Sequence, residues 1–196
     1  MKMKMIILFA AAVMLTACDV LKQVEGMQML SKCEFRINTI SDIQPAGVNV
    51  SGVKKISDVN PLDALLITNA WISNQLPFNF NLNLEVKNPN SQPASMNRLD
   101  WILFIDDMQM LEGAVNERFV TGAGETGNLP VQIGFNLAEV LKGESKDKII
   151  GTVFGLVDGS GKSTRVMVKL KPSVMVGQQT IMYPGWLEVR HEFTAK

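Results

Sequence analysis

The stretch Phe78-Asn79-Phe80-Asn81-Leu82-Asn83-Leu84-Glu85-Val86-Lys87 decides the fold class. Apolar Phe78, Phe80, Leu82, Leu84 and Val86 alternate without exception with polar Asn79, Asn81, Asn83, Glu85 and Lys87. Successive side chains of a strand point to opposite faces, so a period of two predicts a strand with one buried and one wet face. The asparagine-rich outer face argues against a strand covered by helices on both sides, because such strands are apolar on both faces. Asn88-Pro89-Asn90 then stops the strand. Proline has no amide hydrogen for the ladder, and asparagine tolerates turn geometry. The inward row is expected to be core, and the tripeptide to be a structural turn that binds nothing.

The same period recurs on either side. Upstream, Phe35 and Ile37 alternate with polar residues, and Val48 and Val50 follow a Pro45-Ala46-Gly47 turn. Downstream, Leu99, Trp101, Leu103 and Ile105 share one face up to a turn at Asp106-Asp107, although Ile102 and Phe104 make the other face apolar too. Val115 to Val120 reads as a shorter strand closed by Gly122-Ala123-Gly124, and Leu129, Val131, Ile133, Phe135 and Leu137 alternate after it. Val166, Val168 and Leu170 oppose Met167, Lys169 and Lys171, and Trp186 to Phe193 forms a last strand behind Tyr183-Pro184-Gly185. Several short strands with regular turn signals predict an antiparallel β-sandwich, of the fibronectin type III or immunoglobulin kind.

Two segments depart from this pattern. Asn60 is a helix cap, Pro61 suits the first helical position, and Asp63 favours the positive end of the helix dipole. Leu62, Leu65, Leu66 and Ala70 then repeat at helical spacing through about Asn74, with Trp71 on the flank. This main helix is expected to cover an end or an open face of the sandwich. A weaker helical turn runs from Ala138 to Leu141 and stops at Gly143.

At the N-terminus, Lys2 and Lys4 precede an apolar run from Met5 to Leu15. A bilayer-spanning helix needs roughly 20 apolar residues, and a run of this length is that of a signal-peptide core. It ends in Leu15-Thr16-Ala17-Cys18, which resembles the lipobox of bacterial lipoproteins. That resemblance implies cleavage between Ala17 and Cys18 and diacylation of Cys18. The expected organisation is therefore a signal peptide at 1–17, a lipidated N-terminus and tether at 18–33, and one β-sandwich domain at 34–196. Losing Lys2 and Lys4 leaves 17 basic against 19 acidic residues, a net charge of −2. Such a chain has neither the footprint of a nucleic-acid binder nor a polybasic membrane patch. Two acyl chains supply stable membrane affinity where one is marginal. The protein is expected to be lipid-anchored in the cell envelope, with inner versus outer membrane left open. With Cys18 lipidated, Cys33 stands alone and no intramolecular disulfide forms.

The stretch from Phe78 to Leu137 resembles the type 2 late embryogenesis abundant (LEA) proteins, also called the water-stress-and-hypersensitive-response (WHy) domain. The residues that carry the likeness are the alternating strand running into Asn88-Pro89-Asn90, then Leu99 and the strand through Ile105, a turn, and the strand ending at Val120. A Gly-rich turn and Leu129-Pro130-Val131-Gln132-Ile133 complete it. The resemblance implies a sandwich of about seven strands with a helix, no catalytic residues, no cofactor, and for plant members a role in stress. The lipobox departs from soluble plant members.

Chemical motifs resolve into structural readings. Gly161-Lys162-Ser163 invites comparison with a phosphate-binding loop, but the required earlier glycine would fall at Leu156 and no strand-to-helix context follows. His191 is the sole histidine, so a two-histidine metal site is impossible, and it shares a face with Leu187, Val189 and Phe193. Asp106 and Asp107 are neighbours whose side chains would diverge on a strand, which favours a turn. Cys33 reads as an inert, partly buried thiol beside Lys32, and Met108, Met110, Met175 and Met182 as core filler. No catalytic, metal or cofactor-binding residue is assigned. The expected function is a non-enzymatic binding, structural or stress-protective module whose partner is another envelope protein. The alternative is a carrier of an apolar ligand such as lipid, or an accessory subunit of an envelope transport complex.

Overall fold

The computed structural model describes residues 28–53, 56–140, 142, 164–176 and 178–193. Ala17, Cys18, the Gly161-Lys162-Ser163 motif and the rest of the segment before Thr164 lie outside the described residues. In chain order the elements are β1 (Glu34–Pro45), α1 (Pro61–Ile72), β2 (Pro77–Lys87), β3 (Ala94–Met96), β4 (Arg98–Ile105) and β5 (Met108–Val115). They continue with β6 (Phe119–Thr121), β7 (Thr126–Asn136), α2 (Leu137–Val140), β8 (Thr164–Val176), β9 (Gln179–Met182) and β10 (Leu187–Phe193). All pairings are antiparallel. One sheet has the order β1-β2-β7, the other β10-β8-β4-β5 with β9 beside β8, and β3 pairs with β6. Among the described strands seven are long; β3, β6 and β9 have three or four residues.

The two main sheets enclose one core, as the alternating pattern requires. Phe78, Leu82, Leu84 and Val86 have no exposure and Phe80 has 3%. Phe78, Phe80, Leu82 and Leu84 meet Leu99, Trp101, Leu103 and Ile105 of β4 and Val166, Val168 and Leu170 of β8 within a single cluster. Fully enclosed aromatic and aliphatic side chains of this size contribute roughly 1.5–3 kcal/mol each. Phe78 also meets Phe80 and Phe135 at ring-centroid distances of 5.6 Å in tilted and edge-on geometries, which favour aromatic attraction. Register fixes two ends of the sandwich. Glu34 pairs with Lys87 at the end where the described chain begins, and Pro45 pairs with Phe78 at the end where α1 leads into β2. The 12 residues of β1 between them span roughly 35 Å at strand geometry.

Several expectations are corrected. No single strand spans Val115 to Val120: β5 ends at Val115, and β6 holds only Phe119–Thr121. Asp106 and Asp107 both adopt positive φ (47° and 64°), the geometry of a two-residue hairpin turn, so the chain reverses at once and Met108–Val115 returns along β4. Val48 and Val50 belong to no strand, yet both are buried. The core also reaches further upstream than the expected tether allows: residues 28–31 are helical and Leu30 is 1% exposed. Of the methionines, Met110 is core and Met108 packs against it, but Met175 and Met182 are exposed.

The largest correction concerns α1. The helix forms as expected, with Asn60 Oδ1 accepting from the Leu62 amide at 2.9 Å and Pro61 in the first turn. Its orientation differs from the expected one: of the expected face only Ala70, with the flanking Trp71, meets the core. Leu62 (71% exposed), Leu65 (55%), Leu66 (55%) and Ile72 (71%) point to solvent, while Ile67, Ala70 and Trp71 pack on the core. The cause lies in the sequence and in the connection to β2. Apolar residues lie almost all round the helix, so no single stripe dictates which side is buried. The C-terminal end is then fixed by hydrogen bonds: Gln75 N–H to Ala70 O, the Leu76 amide to Asn136 Oδ1 (3.0 Å), and Asn136 Nδ2 to Asn74 O (2.9 Å).

Candidate functional site

The two ends of the sandwich differ in chemistry. At the end where the chain enters, Asn88 is fully buried and is the centre of a polar hub. Its Nδ2 donates to the carbonyls of Gln92 (2.9 Å), Gly122 (2.8 Å) and Thr121 (3.3 Å), and its Oδ1 accepts from the backbone N–H (3.1 Å) and side chain (2.6 Å) of Asn90. Asn90 Nδ2 in turn reaches Met29 O at 2.8 Å, and the Cys33 thiol donates to Asn88 Oδ1 at 3.8 Å. Asn88-Pro89-Asn90 thus ties the incoming chain, the β2–β3 connection and the Gly122–Glu125 turn together. Gly124, at φ 68°, supplies the backbone conformation that brings its N–H to Asn90 O (3.1 Å). Partial burial pushes the Cys33 thiol above its ordinary value, so it holds little thiolate at neutral pH.

The remaining residues singled out from the sequence are scattered. Asp106 and Asp107 form a turn: Asp106 Oδ1 accepts the Arg165 amide (3.0 Å), and Asp107 pairs with Arg165 (2.8 Å). His191 stands opposite Val166 on β10, half-buried beside a shallow hollow whose walls include Asp107, Arg165 and Arg190. Glu188 is exposed and is held below its ordinary value by Arg190 and Lys169. Among the described residues no three histidine, cysteine or acidic side chains converge as a metal site.

At the opposite end, α1 presents the feature that sequence reasoning missed. Leu62, Leu65, Leu66 and Ile72 form one outward face, with the exposed Asn69 and Ser73 between them. Contiguous exposed apolar side chains are uncommon on monomeric domains and mark interaction surfaces. Leu62, Leu65 and Leu66 fall at helical positions i, i+3 and i+4, the spacing by which a helix offers anchors to an apolar groove, and Ile72 extends the same face beyond Asn69. The helix carries Asp63 as its only charge and no basic residue. Helices that lie on membrane surfaces are rich in Lys and Arg on their polar faces, so this face matches an apolar protein groove better than an anionic bilayer. The signal in the sequence was the second apolar set, Ile67, Ala70 and Trp71, which lies off the Leu62-Leu65-Leu66 stripe and competes with it for the core.

No family model matches the chain, and no curated protein sequence matches it. Solved structures that resemble it include the following two. A crystal structure of a protein from Archaeoglobus fulgidus is 16% identical, over 61% of this chain and 86% of that one, with a TM-score of 0.36. The solution structure of a protein described as late embryogenesis abundant is 14% identical, over 97% of this chain and 88% of that one, with a TM-score of 0.38. Neither superposition carries an argument about function; the functional reading rests on residues of this chain.

Proposed function

We propose that the protein is a lipid-anchored, non-enzymatic module of the cell envelope that uses the outer face of α1 to dock on another envelope protein. The observation that carries this reading is the exposed row Leu62, Leu65, Leu66 and Ile72, at the end of the sandwich away from where the chain enters. With lipid on Cys18, the Asn88 hub faces the anchored side and α1 faces away from it. Buried polar groups here serve structure: Asn88 has its side-chain groups engaged, and Ser173 donates to Arg98 O. The LEA type 2 resemblance of residues 78–137 fits a stress-protective setting for such a module.

The carrier reading is less well supported. Phe78, Leu82, Leu84 and Val86 have no exposure, so no water-sized void lies against these four members of the row that would line a lipid cavity. Two experiments test the proposal. Cys18→Ser should shift the protein from the detergent phase to soluble or unprocessed fractions; unchanged partitioning with an unmodified N-terminal mass defeats the anchor. In native gels of solubilised membranes, Leu65→Asp with Leu66→Asp should release the protein from a larger assembly while its circular dichroism is preserved. An assembly unaffected by that pair defeats the docking face.

A further inference from the structure

We infer that the outer face of the β1-β2-β7 sheet holds a binding site for a neutral, polyhydroxylated ligand, a short stretch of saccharide chain. The inference does not depend on lipidation or on the role of α1. Its centre is Asn79, where four departures from ordinary strand construction meet.

Asparagine is depleted in strands, yet β2 is the central strand of its sheet and carries Asn79, Asn81 and Asn83 on one face. Gly134 lies directly across from Asn79, and a Cβ there would be 2.5 Å from Asn79 Oδ1. A glycine inside a strand weakens it and often marks a place where another group comes close. Between Ser41 and Gln44 the β1 ladder is bulged, which re-aims side chains. Inside that bulge Asp42 has φ 54°, a left-handed conformation that a non-glycine residue seldom adopts. Local rules broken together in one place mark a candidate site.

The result is a hollow of about 490 Å³ whose walls include Asp42, Gln44, Asn79, Asn81 and Gln132. This lies within the range of small-molecule sites. Asn79 also borders a neighbouring hollow of about 350 Å³ toward Pro77 and Asn136, which gives a ligand seated on Asn79 room to extend. Asn81 Nδ2 is held by Asp42 Oδ2 at 2.7 Å, and Asn83 Nδ2 by Thr39 and Ser41. The carboxamides of Asn79, Gln44 and Gln132 make no hydrogen bond to any described residue. Each offers two donors and an acceptor. Hydroxyl groups are donor and acceptor at once and match them. An anion finds no Lys, Arg or His in the walls, only Asp42. An apolar ligand would strip water from amides without replacing their hydrogen bonds.

The test is a titration of the ¹⁵N-labelled full-length protein in detergent micelles, following the side-chain amide signals of Asn and Gln. One arm uses chitotetraose, a β-linked amino-sugar oligomer, and a second uses maltotetraose, an α-linked glucose oligomer. Binding in either arm supports the site, and the arm identifies the kind of glycan. At millimolar ligand the signals of Asn79, Gln44 and Gln132 should move. Gln132→Ala removes one amide and should weaken binding about tenfold. Gly134→Ala, which pushes the Asn79 amide aside, should weaken it as much, while Asn128→Ala on the same face should not. The proposal is overturned if neither oligosaccharide moves these signals, if Asn128→Ala weakens binding as much as Gln132→Ala, or if only dextran sulfate or a peptide binds.

Discussion

β2 and α1 are both apolar segments with clean periodicity, and the protein uses them in opposite ways. In β2 every apolar residue of the alternating row is buried, because β1 and β7 flank the strand and β4 and β8 lie across the core from it. In α1 the three leucines read from the sequence as its buried face are more than half exposed, and no residue of the helix is fully buried. Periodicity states which residues share a side of an element. Whether that side meets the core depends on what surrounds the element, and α1 lies at an end of the sandwich with one neighbour side only. Apolar content that the fold does not consume is available to something else.

The largest effect that sharpens this comparison is expected at Phe80. It is 3% exposed in the middle of the inward row, so Phe80→Ala should lower stability by about 3–5 kcal/mol, a large share of the 5–15 kcal/mol typical of a domain. A urea melt of the variant measures it; a loss below 1 kcal/mol, a value well under the range for a core phenylalanine, would mean the row is not core. Next is Asn88→Ala, which leaves the carbonyls of Gln92 and Gly122 without their donor in a buried setting and should cost about 2 kcal/mol in the same melt. Pro89→Ala acts mainly through the freedom of the unfolded chain and should cost roughly 0.5–1 kcal/mol, with any ligand affinity unchanged. The smallest effects belong to exposed positions: Leu65→Ala and Asn81→Ala should each shift stability by less than about 0.5 kcal/mol. If Leu65→Ala instead matched Phe80→Ala, the two regions would not differ as described.

Much of the sandwich was legible because strand alternation encodes burial locally. The rows in β2, β4, β7 and β8 need only the period of two and the turns that bound them, and the structure places each row inside. What was not legible depended on backbone geometry or on distant contacts. The hairpin at Asp106-Asp107 was read as a turn, but the immediate return of Met108 was not, since it follows from two positive φ values that the residue types permit without demanding. Leu30 enters the core through contacts with residues far along the chain, which no local pattern announces. The polar face of β2 was read as wet, and so it is. That Asn79, Gln44 and Gln132 gather round a hollow required the bulge in β1 and the register across three strands. The Asn88-Pro89-Asn90 tripeptide was expected as a turn; its hub of hydrogen bonds to Thr121, Gly122 and Asn90 links segments that sequence alone does not bring together.

Backbone hydrogen exchange, read at individual amides under native conditions, tests the contrast between the two regions most directly. Amides from Asn79 to Val86 are bonded on both sides to β1 and β7, and should exchange only when the whole domain unfolds. Amides of α1, whose helix has no fully buried residue, should exchange by local opening at least about a hundredfold faster. Equal protection in α1 and β2 would contradict the account, because it would make α1 an integral part of the cooperative core rather than a face held out for a partner.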